Sequence, residues 1–183
     1  MRLDALQREV ADSLTVEWRA FLLRPFAQQR SLTEFTRYTE RWGRPAAMEP
    51  GTTFRTWSGE HAPPSHSVPS AVAGKAVLHE FGAKAFERFH LSLMYAYFAE
   101  NRTVSDRPVI LDVAAASALD AARLAARLDG DGATLEAEVL ADHRSALALG
   151  ISGVPTVVVD DKYLLQGAMT IEQYRRVTSR LAG

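Results

Sequence analysis

The chain contains no cysteine among its 183 residues. It therefore cannot form a disulfide, present a nucleophilic thiolate or bind zinc through sulfur. It also lacks an apolar run of about 18 residues, and charged residues occur throughout the first thirty positions. The sequence therefore predicts no membrane-spanning helix, and its amino terminus lacks the apolar stretch of a secretory signal peptide. We expect a cytoplasmic protein.

An excess of charge of one sign is lacking as well. There are 21 Lys and Arg residues against 22 Asp and Glu residues, which gives a net charge of −1. Without a basic excess to neutralise phosphates, a nucleic-acid partner is not expected. A hydrophobic content of 47% excludes a disordered chain, and the length suits one domain or a small core with a large insertion.

The amino-terminal residues predict one helix followed by one strand. Leu3, Leu6 and Val10 have the spacing of an amphipathic helix, which we expect from Leu3 to Ser13. The pattern over Val16–Leu23 first alternates and then becomes fully apolar before a proline, which predicts a buried strand.

The middle of the chain predicts a series of helices. Ser31 and Glu34 have capping-box spacing at the start of a helix that should end at Gly43. Residues 44–67 are rich in Pro, Gly and Ser and should be irregular. Helical spacing then returns in five segments: one closed by Gly82, one that ends near Asn101, one capped by Ser105, and two Ala-rich helices over residues 117–129 and 134–149.

The last part of the sequence predicts a β-hairpin and a helix. Val154–Val159 is a continuous, mostly β-branched run, Asp160-Asp161 is a tight connection, and Lys162–Leu165 is a second short strand. Thr170 with Gln173 forms a capping box for the final helix.

This carboxy-terminal order carries a family resemblance. A helix, a Gly-Val-Pro-Thr loop, two strands, Gly-Ala and a helix resemble the carboxy-terminal half of thioredoxin-fold proteins. The DsbA-like family is the most similar, in particular its FrnE-like branch and the related 2-hydroxychromene-2-carboxylate isomerases. Val16–Pro25 is similar to the family's second strand, and segments within Phe89–Asp106 are similar to its helical insertion. The resemblance implies an α/β, thioredoxin-like (DsbA-like) fold with a large all-helical insertion, in which residues 1–30 and 132–183 form the thioredoxin-like part and residues 31–131 the insertion.

The resemblance also implies a substrate-binding site. Pro155 corresponds to the family's cis-proline, and the backbone of Val154 before it, with Thr156 after it, should bind an extended thiol-bearing or peptide substrate. In the isomerase branch a proline–polar–serine stretch contacts glutathione, which makes Ser65 and His66 candidate substrate contacts. The alternative, that Ser67 simply caps the following helix, is equally open.

The chain departs from the family at its amino terminus. The family begins with a strand and a Cys-x-x-Cys motif at the start of the first helix, and this sequence has neither. We therefore expect an N-terminally incomplete thioredoxin fold, from a start codon assigned too far downstream, a fragment or a degenerate relative. The absent strand would be central in the sheet, and its loss would leave backbone groups of the neighbouring strands unpaired. A second copy of the chain could fill this position, so a homodimer is an open alternative.

The function implied by the resemblance is thiol–disulfide oxidoreduction or isomerisation, acting on a protein dithiol or disulfide or on a small thiol. The chain itself has no catalytic cysteine, so we expect it to be redox-inactive, with no catalytic residue assigned. Two alternatives are a peptide- or glutathione-binding module without chemistry and a glutathione-dependent isomerase. The isomerase is disfavoured because Gln166–Met169 lacks that branch's Asp-Arg pair. Neither a metal nor a resident cofactor other than glutathione is expected, since the five histidines are scattered without metal-ligand spacing.

Overall fold

The computed structural model describes residues 2–10, 14–48 and 51–181. It divides into two compact units, the first made of Met1–Phe21 with Ala141–Gly183 and the second of Leu22–Leu140. The last three residues of the predicted first helix, 11–13, lie outside the described residues, as do residues 49–50 of the predicted irregular segment. The domain boundaries inferred from the resemblance stay a prediction.

The helices of the first unit lie at the two ends of the chain. Helix α1 (Arg2–Val10) packs against the last helix of the chain, Ile171–Leu181. An ion pair joins them, with Nη2 of Arg175 at 2.6 Å from Oε1 of Glu9. The predicted capping box of the last helix is confirmed, because Gln173 N donates to Thr170 Oγ1 and Thr170 N donates to Gln173 Oε1.

The sheet of the first unit is the predicted hairpin. Strands β1 (Thr156–Val159) and β2 (Tyr163–Gln166) pair antiparallel, from Thr156 opposite Gln166 to Val159 opposite Tyr163. The turn requires positive φ at two successive residues, 50° at Asp160 and 53° at Asp161. Aspartate tolerates this left-handed conformation better than most residues, which is why a connection without glycine closes here.

The predicted strand over Val16–Leu23 is wrong. Residues 14–30 form neither helix nor strand, although burial alternates from Leu14 to Ala20 as in an extended segment. A β-strand requires a neighbouring backbone with which to exchange hydrogen bonds, and in the described ranges only β1 and β2 form a ladder. The alternating sequence therefore predicted which side chains are half-buried, but not the pairing.

The second unit is helical. Its helices Val68–Phe81 and Ala83–Phe98 pack against each other and both contact the helix Arg107–Ala116, with small and apolar side chains fully buried. The helix Ala121–Ala148 is assigned to this unit as far as Leu140, and its last residues, from Ala141, are assigned to the first unit. The elements are α2 (Leu32–Thr39), a 3₁₀ turn (Glu40–Trp42), α3 (Gly43–Met48), α4 (Val68–Phe81), α5 (Ala83–Phe98), α6 (Arg107–Ala116) and α7 (Ala121–Ala148), after which Ile171–Leu181 of the first unit is α8. None of the helices in the described ranges is long and apolar enough to cross a membrane.

Three predicted helix boundaries are wrong. Gly43 does not end a helix: it has φ −57° and begins α3, because a glycine stops a helix only where it adopts positive φ. Asp106, not Ser105, occupies the N-cap position of α6. The two Ala-rich segments form the single helix α7, which continues through Gly130 and Gly132. By contrast, Gly82 has φ +83° and ends α4 as predicted.

Aromatic side chains build a second core around α2. Phe35, Trp42 and Trp57 are buried together, and Phe54, Tyr97 and Phe98 pack against them. The rings of Phe35 and Trp57 lie 5.0 Å apart with an edge-to-face inclination. Trp42 and Trp57 are therefore core residues.

Candidate functional site

The loop before β1 is shaped by the end of α7. Gly150 adopts φ +76°, its N–H donates to Leu147 O, and the N–H of Ile151 donates to Ala146 O. This double hydrogen bond is the Schellman motif, and the buried Ile151 side chain accompanies it. The chain is thereby redirected into the segment Ser152–Pro155 that leads to the hairpin.

Pro155 lies at the entrance of β1, and the Val154–Pro155 peptide bond is cis, the isomer that the resemblance implies. Pro155 O accepts a hydrogen bond of 2.9 Å from Gly167 N, which extends the pairing by one residue beyond the ladder. Thr156 Oγ1 donates to Gly153 O at 2.8 Å and closes the loop on itself. These two contacts hold the backbone on both sides of the proline in place.

Val154 is exposed in this loop, as are Ser152 and Pro155. Its exposure is 52%, and within the described part of the chain neither its N–H nor its C=O has a hydrogen-bond partner. An unpaired backbone donor and acceptor next to a short antiparallel sheet can pair with an added extended chain.

An open cleft of about 220 Å³ surrounds the loop. Val154, Pro155 and Thr156, the substrate-binding residues that the resemblance implies, all line it, and their role stays a prediction. Gln166 and Gly167 also line it, and neither was expected there from the sequence. The register of the hairpin was the available signal, because it places Gln166 opposite Thr156.

Ser65 and His66 lie in the second unit, in the segment that leads to α4. Ser65 Oγ and His66 Nδ1 are 2.8 Å apart. The backbone of Ser65 is fully engaged, since its N–H donates to Ser105 Oγ and its C=O accepts from Gln28 N. Ser65 can therefore offer a ligand only its side chain.

Ser67 tests the alternative interpretation of the same segment. It occupies the N-cap position of α4, but its side chain makes no capping hydrogen bond. Its Oγ instead accepts from Arg24 N at 3.1 Å, and its N–H donates to Arg24 O at 2.8 Å. The position of the cap is as expected, while the hydroxyl ties the segment to the chain before α2.

The histidines do not form a metal centre in the described ranges, where no group of three His, Asp or Glu side chains has a suitable arrangement. His79 Nε2 lies 3.3 Å from Glu138 Oε2 on the surface of the second unit. His90 stacks on Phe86 with ring centroids 5.5 Å apart, and burial lowers the pKa of the His90 imidazole. His79 thus lies on the surface of the unit, and His90 packs against a neighbouring ring.

Comparison with known proteins gives the same family as the carboxy-terminal motif. Residues 1–178 match the family described as the DSBA-like thioredoxin domain. No curated protein matches the sequence of this chain.

Solved structures show the fold. The cytosolic disulfide reductase DsbM from Pseudomonas aeruginosa, in a structure with glutathione, has a TM-score of 0.74 and 20% identity over 100% of this chain and 90% of its own. A proposed DsbA oxidoreductase from Streptomyces coelicolor has a TM-score of 0.71 and 24% identity over 98% and 81%. A proposed protein disulfide isomerase from Nitrosomonas europaea has a TM-score of 0.78 and 16% identity over 98% and 87%. At these identities the likeness establishes a DsbA-like thioredoxin fold.

Proposed function

The chain belongs to the family of DSBA-like thioredoxin domains, and from this premise we propose that it binds a substrate of thiol–disulfide exchange along Val154–Pro155–Thr156. The substrate is an extended peptide that carries a thiol or a disulfide. The observation that carries the proposal is the exposed backbone of Val154, whose N–H and C=O have no partner in the described part of the chain. Strand addition at such a position supplies main-chain hydrogen bonds that do not depend on the substrate's side chains.

The hairpin limits where the substrate can pair. The Pro155 nitrogen carries no hydrogen, and the Pro155 carbonyl already accepts from Gly167 N. Val154, the residue directly before the proline, therefore offers both a donor and an acceptor. A substrate backbone that pairs with Val154 extends into the cleft lined by Gly153 and Thr156.

The chemistry of exchange is a separate matter from substrate binding. Thiol–disulfide exchange proceeds through attack of a thiolate on a disulfide sulfur. This chain has no cysteine and so supplies no thiolate. We propose that it contributes the substrate-binding part of a thiol–disulfide oxidoreductase or isomerase. We also propose that it works in the cytosol, as DsbM is described to do. Within the family we place it in the FrnE-like branch.

The test is a titration of the ¹⁵N-labelled chain with an unstructured peptide that contains an intramolecular disulfide. We expect the amide resonances of Val154 and Thr156 to shift, while amides of α5 stay unchanged. Val154→Ala keeps the backbone donor and should bind as the unaltered chain does, whereas Val154→Pro removes the donor and should weaken binding by about tenfold. Equal binding by Val154→Pro, or shifts confined to other residues, would overturn the proposal.

Glutathione is the second candidate ligand. It is favoured by the likeness to DsbM, whose structure contains glutathione, and by the paired side chains of Ser65 and His66. A parallel titration with reduced glutathione should shift the imidazole resonances of His66 if this pair contacts the ligand. Ser65→Ala tests the contact, and no change in affinity relative to the unaltered chain would exclude Ser65 from it.

A further inference from the structure

Two arginine side chains of the second unit converge on the same pair of rings. The Arg30 Cζ atom lies 4.1 Å from the centroid of the Phe35 ring and 5.5 Å from that of Tyr38. The Arg24 Cζ atom lies 5.7 Å and 5.8 Å from the same two centroids. The rings are themselves stacked, with centroids 5.9 Å apart, so the two guanidinium groups share one aromatic surface.

Neither guanidinium forms an ion pair with a carboxylate of the described residues, although the charge of Glu34 acts on Arg30 from the same helix N-terminus. Among the described residues, Arg24 and Arg30 form no ion pair and donate no side-chain hydrogen bond, and Arg30 Nη1 is buried without an acceptor. Other arginines of this unit are paired, for example Arg107 with Asp129 at 2.7 Å. Such a buried donor is costly, and an oxyanion that hydrogen-bonds the other guanidinium nitrogens would offset part of this cost.

The two positive charges also act on each other. Burial, followed by the neighbouring charge of Arg24, lowers the pKa of the Arg30 guanidinium. A bound anion would offset both effects, because it would neutralise the repulsion and accept the hydrogen bonds that the guanidinium groups offer.

The backbone holds the arginines in position. Arg24 N donates to Ser67 Oγ, and Arg24 O accepts from Ser67 N. Arg30 directly precedes Ser31, whose side chain caps α2, and Phe35 is on the same helix. The arginine pair is therefore pre-organised rather than carried on a free loop, and Tyr38, at 44% exposure, leaves the surface open to solvent.

We propose that Arg24 and Arg30, on the faces of Phe35 and Tyr38, form a binding site for the oxyanion of a small ligand, a carboxylate or a phosphate group. The planar guanidinium fork matches either group in bidentate geometry, which a lysine ammonium cannot do. The site lies in the second unit and is independent of the substrate loop at Val154, because its ligand needs no sulfur and no extended backbone.

The probes are inorganic phosphate and succinate, each compared with sodium chloride at equal ionic strength. Binding is followed by the fluorescence of the tryptophans, since Trp42 and Trp57 both contact Phe35, and by the shift of the unfolding temperature. We expect saturable binding of at least one probe. Arg24→Gln and Arg30→Gln should each weaken it by about tenfold, and Arg30→Lys should also weaken it, since the charge is kept but the fork is lost.

The matched control is Arg88→Gln, which removes an exposed arginine of α5 whose side chain donates a hydrogen bond only to Lys84 O within the described part of this unit. Its affinity should equal that of the unaltered chain. The relative affinity for phosphate and succinate assigns the ligand class, and binding of either supports the site. A response to both probes that is no larger than with chloride, or an equal loss of affinity in Arg88→Gln, would overturn the proposal.

Discussion

Thr39 shows how a single hydroxyl connects two parts of the aromatic core. The residue is 1% exposed, its Oγ1 accepts from Trp57 N at 2.9 Å, and it donates to Thr36 O at 2.8 Å. Trp57 lies in an irregular segment, where no ladder or helix is available to satisfy its N–H. The hydroxyl of Thr39 therefore supplies a contact that regular secondary structure would otherwise provide.

Replacing this hydroxyl should be costly. Thr39→Val keeps the shape of the side chain but leaves the buried Trp57 N–H without an acceptor, so the free energy of unfolding should fall by about 1–3 kcal/mol. Thr39→Ser keeps the acceptor and loses one buried methyl group, a cost of about 1 kcal/mol. Urea denaturation of both variants measures the difference. A valine variant as stable as the serine variant would show that the hydrogen bond contributes nothing net.

Helix α7 contains two residues of low helix propensity. Its two central glycines, Gly130 and Gly132, each have open space where a Cβ would be added. Gly130→Ala and Gly132→Ala should each raise the free energy of unfolding by about 0.5–1 kcal/mol, because alanine restricts the unfolded chain and favours helix.

Gly150 at the end of the same helix is the control for these two glycines. It also has open space, but its φ is +76°, so Gly150→Ala should destabilise the protein. Chemical denaturation of the three variants gives the comparison. If Gly130→Ala and Gly132→Ala were destabilising like Gly150→Ala, the helix would not be continuous through residues 130–132.

The elements also show which features a sequence reveals. The capping box of α8, the glycine at the end of α4 and the β-hairpin were all predictable, because each depends on residues within a few positions of one another. The strand over Val16–Leu23 was not, since a strand depends on a distant backbone partner. The continuity of α7 was missed because two glycines weaken a helix without necessarily ending it.

The candidate sites also differ in whether they depend on residues close together in the sequence or on distant contacts. Val154, Pro155 and Thr156 could be named from a short motif, and they lie together in one cleft. Arg24 and Arg30 were not predictable as a pair, because their proximity depends on how the chain before α2 is held against Ser67 and on the position of Phe35. Such convergence has no signature in local spacing.

At the scale of the whole molecule, buried apolar side chains are unequally distributed. Most of those in the described ranges belong to the second unit, whereas in the first unit they are Leu6, Ile151 and Tyr174. Local stability depends on buried apolar contacts, so the first unit should open more readily than the second. Easier opening of the first unit is consistent with the proposal that its short sheet binds an added extended chain.

Hydrogen exchange measures this difference directly. Amides of β1 and β2 should exchange about tenfold faster or more than amides of α4 and α5. Helix α7 provides an internal control, since Leu124, Leu135 and Val139 of the second unit are buried while the turn over 145–148, in the first unit, is largely exposed. Within this one helix the protection should fall toward Ala148. The contrary result would be uniform protection along α7 together with hairpin amides that exchange as slowly as those of α5. It would mean that the two units unfold only together and that the sheet is not selectively accessible to a substrate.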